Sequence, residues 1–427
     1  MSDNFLSRDA AEALAKRILG FSKADEARVN ISSGWTGNSR FARNELTTAG
    51  GTTDTGVSIT STIGKRRASA STNVLDDASL ARTVELSERL ARLSPEDPEL
   101  MPELGPQEYA TISAYVQRTA ELTPEARALA VKNTLTAIEG EGRSAGLDLF
   151  VAGYLEANAG IGGCVATSKG LFAYHPSSSV DLSVTVRTPD GTGSGFASSG
   201  ARDWADIHPA ELGLKAAKKA VQSASPQAIE PGRYTVILEP AAVGDVLPLL
   251  LRSFDARTND EGRGTFSTKE GGTRLGEQIA DRRVTLFSDP ADPELLGQPF
   301  DNEGLPLKRR VWIEDGVLKA FNYSRFWARK QGVEPTGGGG GFGGGPGGIK
   351  LAGGTKSLDQ IIAESERAIL CTHFFYIRFL DQRTVMVTGL TRDGTFLVEN
   401  GKITRSLKNF RWNESPLFML NKIEEIG

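Results

Sequence analysis

The amino-acid sequence predicts an α+β fold, and two features of its patterning lead there. In the first half, stretches of good helix formers with recognisable caps alternate with groups of short runs rich in Thr, Val, Ile and Ser. In the second half, Asp-Gly and Asn-Gly dipeptides punctuate β-type runs with few helices between them. This predicts an N-terminal α/β domain of small antiparallel sheets and helices over 1–225, with a possible sub-boundary near 94–107. A C-terminal β-rich domain of hairpins with a few helices is expected over 226–427. The length of 427 residues fits two or three such units.

Taken in order, residues 8–20 are Ala/Leu-rich and form a first helix stopping at Gly20. Three β-type runs follow, at 27–32, 39–46 and 55–71, and read as a small antiparallel sheet. Asp76 offers an N-cap to a helix reaching Leu93, where Ser94-Pro95 ends it. The four prolines of 94–107 mark a connecting loop. Thr123-Pro124 opens a helix expected to stop at Gly140, strands resume over 147–197 with a tight turn at Asp190-Gly191, and His208-Pro209 leads a helix to Ser223. From Arg233 onward, hairpin turns are expected at Asp315-Gly316, Asp393-Gly394 and Asn400-Gly401. Two helices interrupt this region. One spans 240–254, where Pro248 should kink or split it; the other opens at Ser357, with Gln360 placed for a capping box. Residues 337–348 hold ten glycines, one Phe and one Pro, and read as a loop that cannot pack a core.

Composition excludes several classes. A net charge of -4 and a pI near 5.7 provide no basic footprint for nucleic acid. No apolar run is long enough for a membrane span, and the start carries no secretory pattern, so a cytoplasmic location is expected. Cys164 and Cys371, 207 positions apart, form neither a disulfide framework nor a C-x-x-C motif.

The residues that carry hydrolytic chemistry are scarce. His175, His208 and His373 lie in three different segments, so no helical pair of zinc ligands exists, and hydrogen-bonded structural histidines are the expectation. Cys371 and His373 stand two apart in a β run, and a period of two would set them on one face as half of a metal site, with a packed sheet face as the plainer alternative. The glycine tract is too uniform to signal a phosphate loop, and the Lys-Ser that such a loop requires is out of order in Thr355-Lys356-Ser357. Asp289, Asp292, Glu294, Asp301 and Glu303 match no calcium loop and read as a solvated surface. Residues 254–264, with two arginines and three acids, form either an ion-pair network or a recognition surface.

A set of ordered motifs resembles the TldD/PmbA family. They are Arg257 with Asp260-Glu261-Gly262-Arg263, the segment 288–293, Phe300-Asp301-Asn302-Glu303-Gly304, Pro335-Thr336 before the glycines, Tyr376-Ile377-Arg378, the segment 388–397, and Glu399-Asn400-Gly401, joined by Arg40-Phe41-Ala42 near the N-terminus. The resemblance implies a metallopeptidase family in which a zinc-bearing branch pairs with a PmbA (TldE-type) branch to process peptides. In the zinc branch, the metal is held by an H-E-x-x-x-H helix and a late cysteine. Here the helix region 246–253 has no histidine, and the late cysteine segment is absent. The chain thus resembles the branch lacking the zinc motif. The resemblance implies a non-catalytic subunit with no catalytic or metal residue of its own, zinc in a TldD-like partner, and a peptide substrate. The alternatives are a stand-alone peptidase built around Cys371 and His373, and a peptide-binding homodimer.

Overall fold

The computed structural model describes residues 5–337 and 348–427. Most of the glycine tract expected as a loop, 338–347, lies outside the described residues.

Helix α1 (Arg8–Phe21) starts at Ser7, whose hydroxyl accepts from the Ala10 amide, and buries Ala11, Leu14, Ala15 and Ile18 at helical spacing. It passes the expected stop at Gly20 by one residue. Strands β1 (Glu26–Ala42), β2 (Glu45–Ile63) and β3 (Arg66–Thr72) follow, then α2 (Asp77–Leu93), capped by Asp76 through the Ser79 amide. After α3 (Gln117–Ala120), helix α4 (Pro124–Ala145) is capped by Thr123 and runs past Gly140 to Gly146, which closes it at φ 70°. Gly142 sits inside that helix for a packing reason, because a Cβ there would lie 2.6 Å from the Leu147 carbonyl. Strands β4 (Phe150–Thr167), β5 (Phe172–Arg187) and β6 (Ser194–Ala201) precede α5 (Pro209–Gln222).

The strands expected in small antiparallel sheets are indeed antiparallel, and they are joined into one larger sheet. All six strands join one antiparallel sheet in the order β3-β2-β1-β4-β5-β6, because β1 pairs with β2 on one side and with β4 on the other. A local pattern reports that a segment is a strand but not which distant strand completes its ladder. At one end of the strands α1 and α2 bury Val29, Ile31, Val57 and Ile59; at the other, α4 and α5 bury Phe41, Leu155, Leu182 and Val184.

The proline-rich stretch after α2 is not a free connector. Its own Glu103 is buried and accepts from Arg67 at 2.9 Å and Arg28 at 3.3 Å, while Thr167 donates to the Leu104 carbonyl. The segment lies as a strap on the sheet.

Beyond α5, β7 (Val236–Leu238) leads into α6 (Pro240–Val246), which Pro248 separates from a 3-10 segment, Leu247–Phe254, as its missing N–H requires. The chain continues through α7 (Ala256–Asp260), β8 (Leu286–Ser288), β9 (Arg310–Glu314), β10 (Val317–Leu318), α8 (Arg325–Gln331), β11 (Lys350–Leu351) and α9 (Leu358–Glu364). It ends with β12 (Arg367–Asp381), β13 (Met386–Glu399), β14 (Lys402–Ser406), β15 (Arg411–Glu414) and α10 (Pro416–Asn421). One sheet runs β10-β9-β8-β11; the other runs β14-β13-β12-β7, with β15 also on β13. Asp315-Gly316 and Asn400-Gly401 both adopt positive φ and turn hairpins as expected, and the capping box at Ser357 is formed with Gln360.

Asp393-Gly394 is not a hairpin. Both residues have positive φ, 54° and 120°, yet β13 continues through them as a single strand. The pairing with β12 slips there, from Cys371 opposite Thr395 to His373 opposite Arg392. The dipeptide makes a bulge because strand partners exist on both sides of it. Among the described residues no helix is long and apolar enough to cross a membrane.

Candidate functional site

That bulge builds a polar site at the junction of the two halves. It turns Asp393, 4% exposed, toward His373, whose Nδ1 lies 3.4 Å from Oδ2. The other ring nitrogen, Nε2, lies 3.6 Å from Asp245 Oδ2 at the end of α6. Ser194, at the start of β6, donates to Asp393 Oδ1 at 2.6 Å, and Phe196 two residues on stacks on the His373 ring at 4.4 Å between centroids. Strands from both halves therefore hold one imidazole.

The surroundings tune the carboxylates in opposite directions. Burial pushes the Asp393 carboxyl up, but hydrogen bonds from His373 and Ser194 and the charge of Arg392 outweigh it and hold it below the usual range. Burial dominates at Asp245 and raises it, against the Phe374 amide at 2.8 Å and His373. Beside them lies a second buried pair, Lys219 of α5 and Glu239 before α6, 2.7 Å apart, with Thr372 donating to Glu239.

The arrangement is not that of a hydrolytic triad. A nucleophilic serine must hydrogen-bond the imidazole that takes its proton, whereas Ser194 spends its hydroxyl on the carboxylate. Cys371 does not join His373. The register slip between them breaks the period of two, so Cys371 packs with Ala242, Val246, Ile369 and Leu397 while His373 enters the polar site. Burial pushes the Cys371 thiol up to about 12, which withholds the thiolate needed for a nucleophile. Cys164, also buried, is likewise raised to about 12.

The donors present do not fit a zinc ion. Both His373 nitrogens face carboxylates, Glu239 is taken by Lys219, and among the described residues no group of three His, Cys, Asp or Glu side chains is placed to hold a metal ion. In the segment 246–253, Leu247 and Leu250 are buried in an apolar cluster with Phe254 and Trp312.

The histidine expectation holds only in part. His373 is partnered, His208 is exposed ahead of α5 with no capping bond, and His175 is buried with Nε2 unpartnered. The acidic stretch is an ion-paired surface: Asp289 faces Arg309, Asp292 and Glu294 share Lys350, and Glu303 meets Arg325. In 254–264 the ion-pair reading is the one the structure bears out, with Arg257 bound by both Glu99 oxygens and by Glu261. Sequence reasoning missed Asp245, Ser194 and Phe196, since they come from α6 and β6, far along the chain from His373; Asp393-Gly394 was the only local signal.

The bulge region also opens a surface. β12 pairs β7 only through Ile369–Cys371, and beyond it Phe375, Tyr376 and Leu380 are 45%, 58% and 57% exposed. Tyr376 carries a positive φ of 54°, and Arg392 caps the Phe375 ring at 4.1 Å, joining this edge to Asp393.

Known proteins share this architecture. Profiles of the PmbA/TldA metallopeptidase family match in chain order: domain 1 over 27–91, the central domain over 164–224 and the C-terminal domain over 231–427. A Haemophilus influenzae metalloprotease PmbA homologue is 25% identical over 372 residues, covering 82% of this chain and 76% of its own length. The metalloprotease PmbA of Escherichia coli O157:H7 is 32% identical over 132 residues, 30% of this chain and 27% of its own. A metalloprotease of Archaeoglobus fulgidus is 49% identical over only 59 residues, 14% of either chain, so the matching stretches span less than a third of several curated relatives. In fold, TldE from Thermococcus kodakarensis superposes with a TM-score of 0.84 at 21% identity, covering 97% of this chain and 94% of that one. A Thermotoga maritima protein described as a candidate modulator of a DNA gyrase superposes with a TM-score of 0.81 at 22% identity, with the same coverage. With the family's three domains in order along one fold, the chain belongs to the TldD/PmbA family, a metallopeptidase-like group.

Proposed function

We propose that this chain is the non-catalytic subunit of a two-chain metallopeptidase. A TldD-like partner supplies the zinc and activates water, and this chain forms one wall of a chamber that holds the peptide. The observation that carries the reading is the segment 246–253: where the family's zinc helix is expected, Pro248 splits the helix and the buried side chains are leucines in a core. The buried, protonated thiol of Cys371 weighs against a stand-alone cysteine enzyme. The exposed β12 edge with Phe375 and Tyr376 supports a role in contact, since an unpaired strand offers main-chain hydrogen bonds to an extended peptide or to a second chain.

The test is reconstitution. The purified chain should bind no stoichiometric zinc and cleave no peptide, and peptidase activity should appear on mixing with a zinc-motif member of the family from the same cell. Hydrolysis by the isolated chain that disappears in Cys371→Ala would overturn the proposal, as would one bound zinc per isolated chain. Self-association without any such partner would leave a peptide-binding homodimer.

A further inference from the structure

Away from the His373 junction, the far end of β5 meets the loop after β8 around a cavity of about 150 Å³. Its walls include His175, Ser177, Ser179, Arg202, Gly297 and Gln298. Arg202 is 9% exposed. One of its nitrogens donates to the Leu295 carbonyl at 2.7 Å and the Gly297 carbonyl at 3.0 Å, and no carboxylate pairs with it among the described residues. His175 is 4% exposed, and its Nε2 is buried without a hydrogen-bond partner among the described residues.

These facts are difficult to reconcile with a purely structural role. A buried guanidinium is normally paired, because two carbonyl dipoles satisfy donors but leave a full positive charge uncompensated. A buried ring nitrogen without a partner forfeits about 1–3 kcal/mol. Both residues border one opening, whose volume exceeds that of one water, about 30 Å³ in the liquid. Serine hydroxyls and the Gln298 amide add donors, and no acid lines the wall. Burial, and secondarily the charge of Arg202, pushes the His175 imidazole down to about 4.

We propose that this cavity is a binding site for a small oxyanion, held by the Arg202 guanidinium and the His175 imidazole. Carboxylates and inorganic phosphate share the required chemistry, charged oxygens spaced to accept from a guanidinium fork and a ring N–H. The site stands apart from the His373 junction, and it does not depend on whether the chain has a zinc-bearing partner.

Ring NMR signals of the three histidines in the intact chain test it. Acetate and inorganic phosphate are titrated separately, each against chloride at matched ionic strength. The His175 signals are expected to move saturably with at least one oxyanion, and its titration midpoint to rise from about 4, while His208 and His373 do not follow. The response should vanish in Arg202→Gln. If that variant does not fold, His175→Gln should lose the thermal stabilisation that the same oxyanion confers on the native chain. No saturable movement with either oxyanion, an equal movement with chloride, or an unchanged response in a folded variant would overturn the proposal. The acetate and phosphate arms tell a carboxylate site from a phosphate site.

Discussion

At the scale of single residues, the junction depends on two buried, partnered carboxylates, Asp393 and Glu239. Asp393 is ionised and partnered by His373 and Ser194, and its pKa in the folded chain lies below the ordinary value of 3.8. A group depressed in this way contributes stability above its unfolded pKa and loses it as pH falls through the folded one. Asp393→Asn should therefore cost about 1–3 kcal/mol near neutral pH. The difference from the native chain should shrink below about pH 4, read from urea midpoints across pH. Glu239 faces a stricter constraint, because Lys219 is buried against it. Removing one partner leaves a charge without compensation, so Glu239→Gln should destabilise by about 3 kcal/mol or more, and Glu239→Gln with Lys219→Met should recover most of that loss. Equal destabilisation by the single and double variants in denaturant unfolding would contradict this.

At the scale of elements, caps were legible and context was not. Asp76, Thr123 and Ser357 each cap the helix they were expected to open, because a side-chain oxygen on an amide three residues ahead is a local event. Ser357→Ala should cost about 1 kcal/mol, measurable as a lowered urea midpoint. Asp393-Gly394 shows the reverse. Its residues demand positive φ, and both a hairpin and a bulge satisfy that demand; only the partners of β13 select the bulge. A Cβ at Gly394 would lie 2.9 Å from the Thr372 hydroxyl, at a φ of 120° that side chains avoid. Gly394→Ala is expected to cost about 2 kcal/mol or more and to disturb the His373 ring signals, which a substitution in a solvent hairpin would not do.

At the scale of the molecule, the first half and the second are tied by buried or paired contacts rather than by a single linker. Ser194 meets Asp393, Lys219 meets Glu239, Tyr109 donates to the Gly304 carbonyl at 2.7 Å, and Arg257 grips Glu99 on the strap. Several of these cross where apolar side chains are also covered, so separation would expose both charge and core. The intact chain should consequently melt in one calorimetric transition, with van't Hoff and calorimetric enthalpies in agreement. Two resolved transitions would show that the halves are coupled more weakly than their contacts imply.

The sequence by itself determined the α+β class, the helix starts at Asp76, Thr123, His208 and Ser357, the hairpins at 315–316 and 400–401, the split at Pro248 and the family, since each rests on neighbours within a turn or on ordered motifs. It also determined the shortage of metal ligands in 246–253, a fact of composition. Tertiary structure alone decided that six strands form one sheet, that the proline-rich stretch is a strap, that Cys371 and His373 part company, and that Asp245, Ser194, Phe196 and Asp393 surround one imidazole. The physical reason is separation along the chain. Residues 199 positions apart meet at the Ser194–Asp393 bond, and no local preference of either residue reports the other.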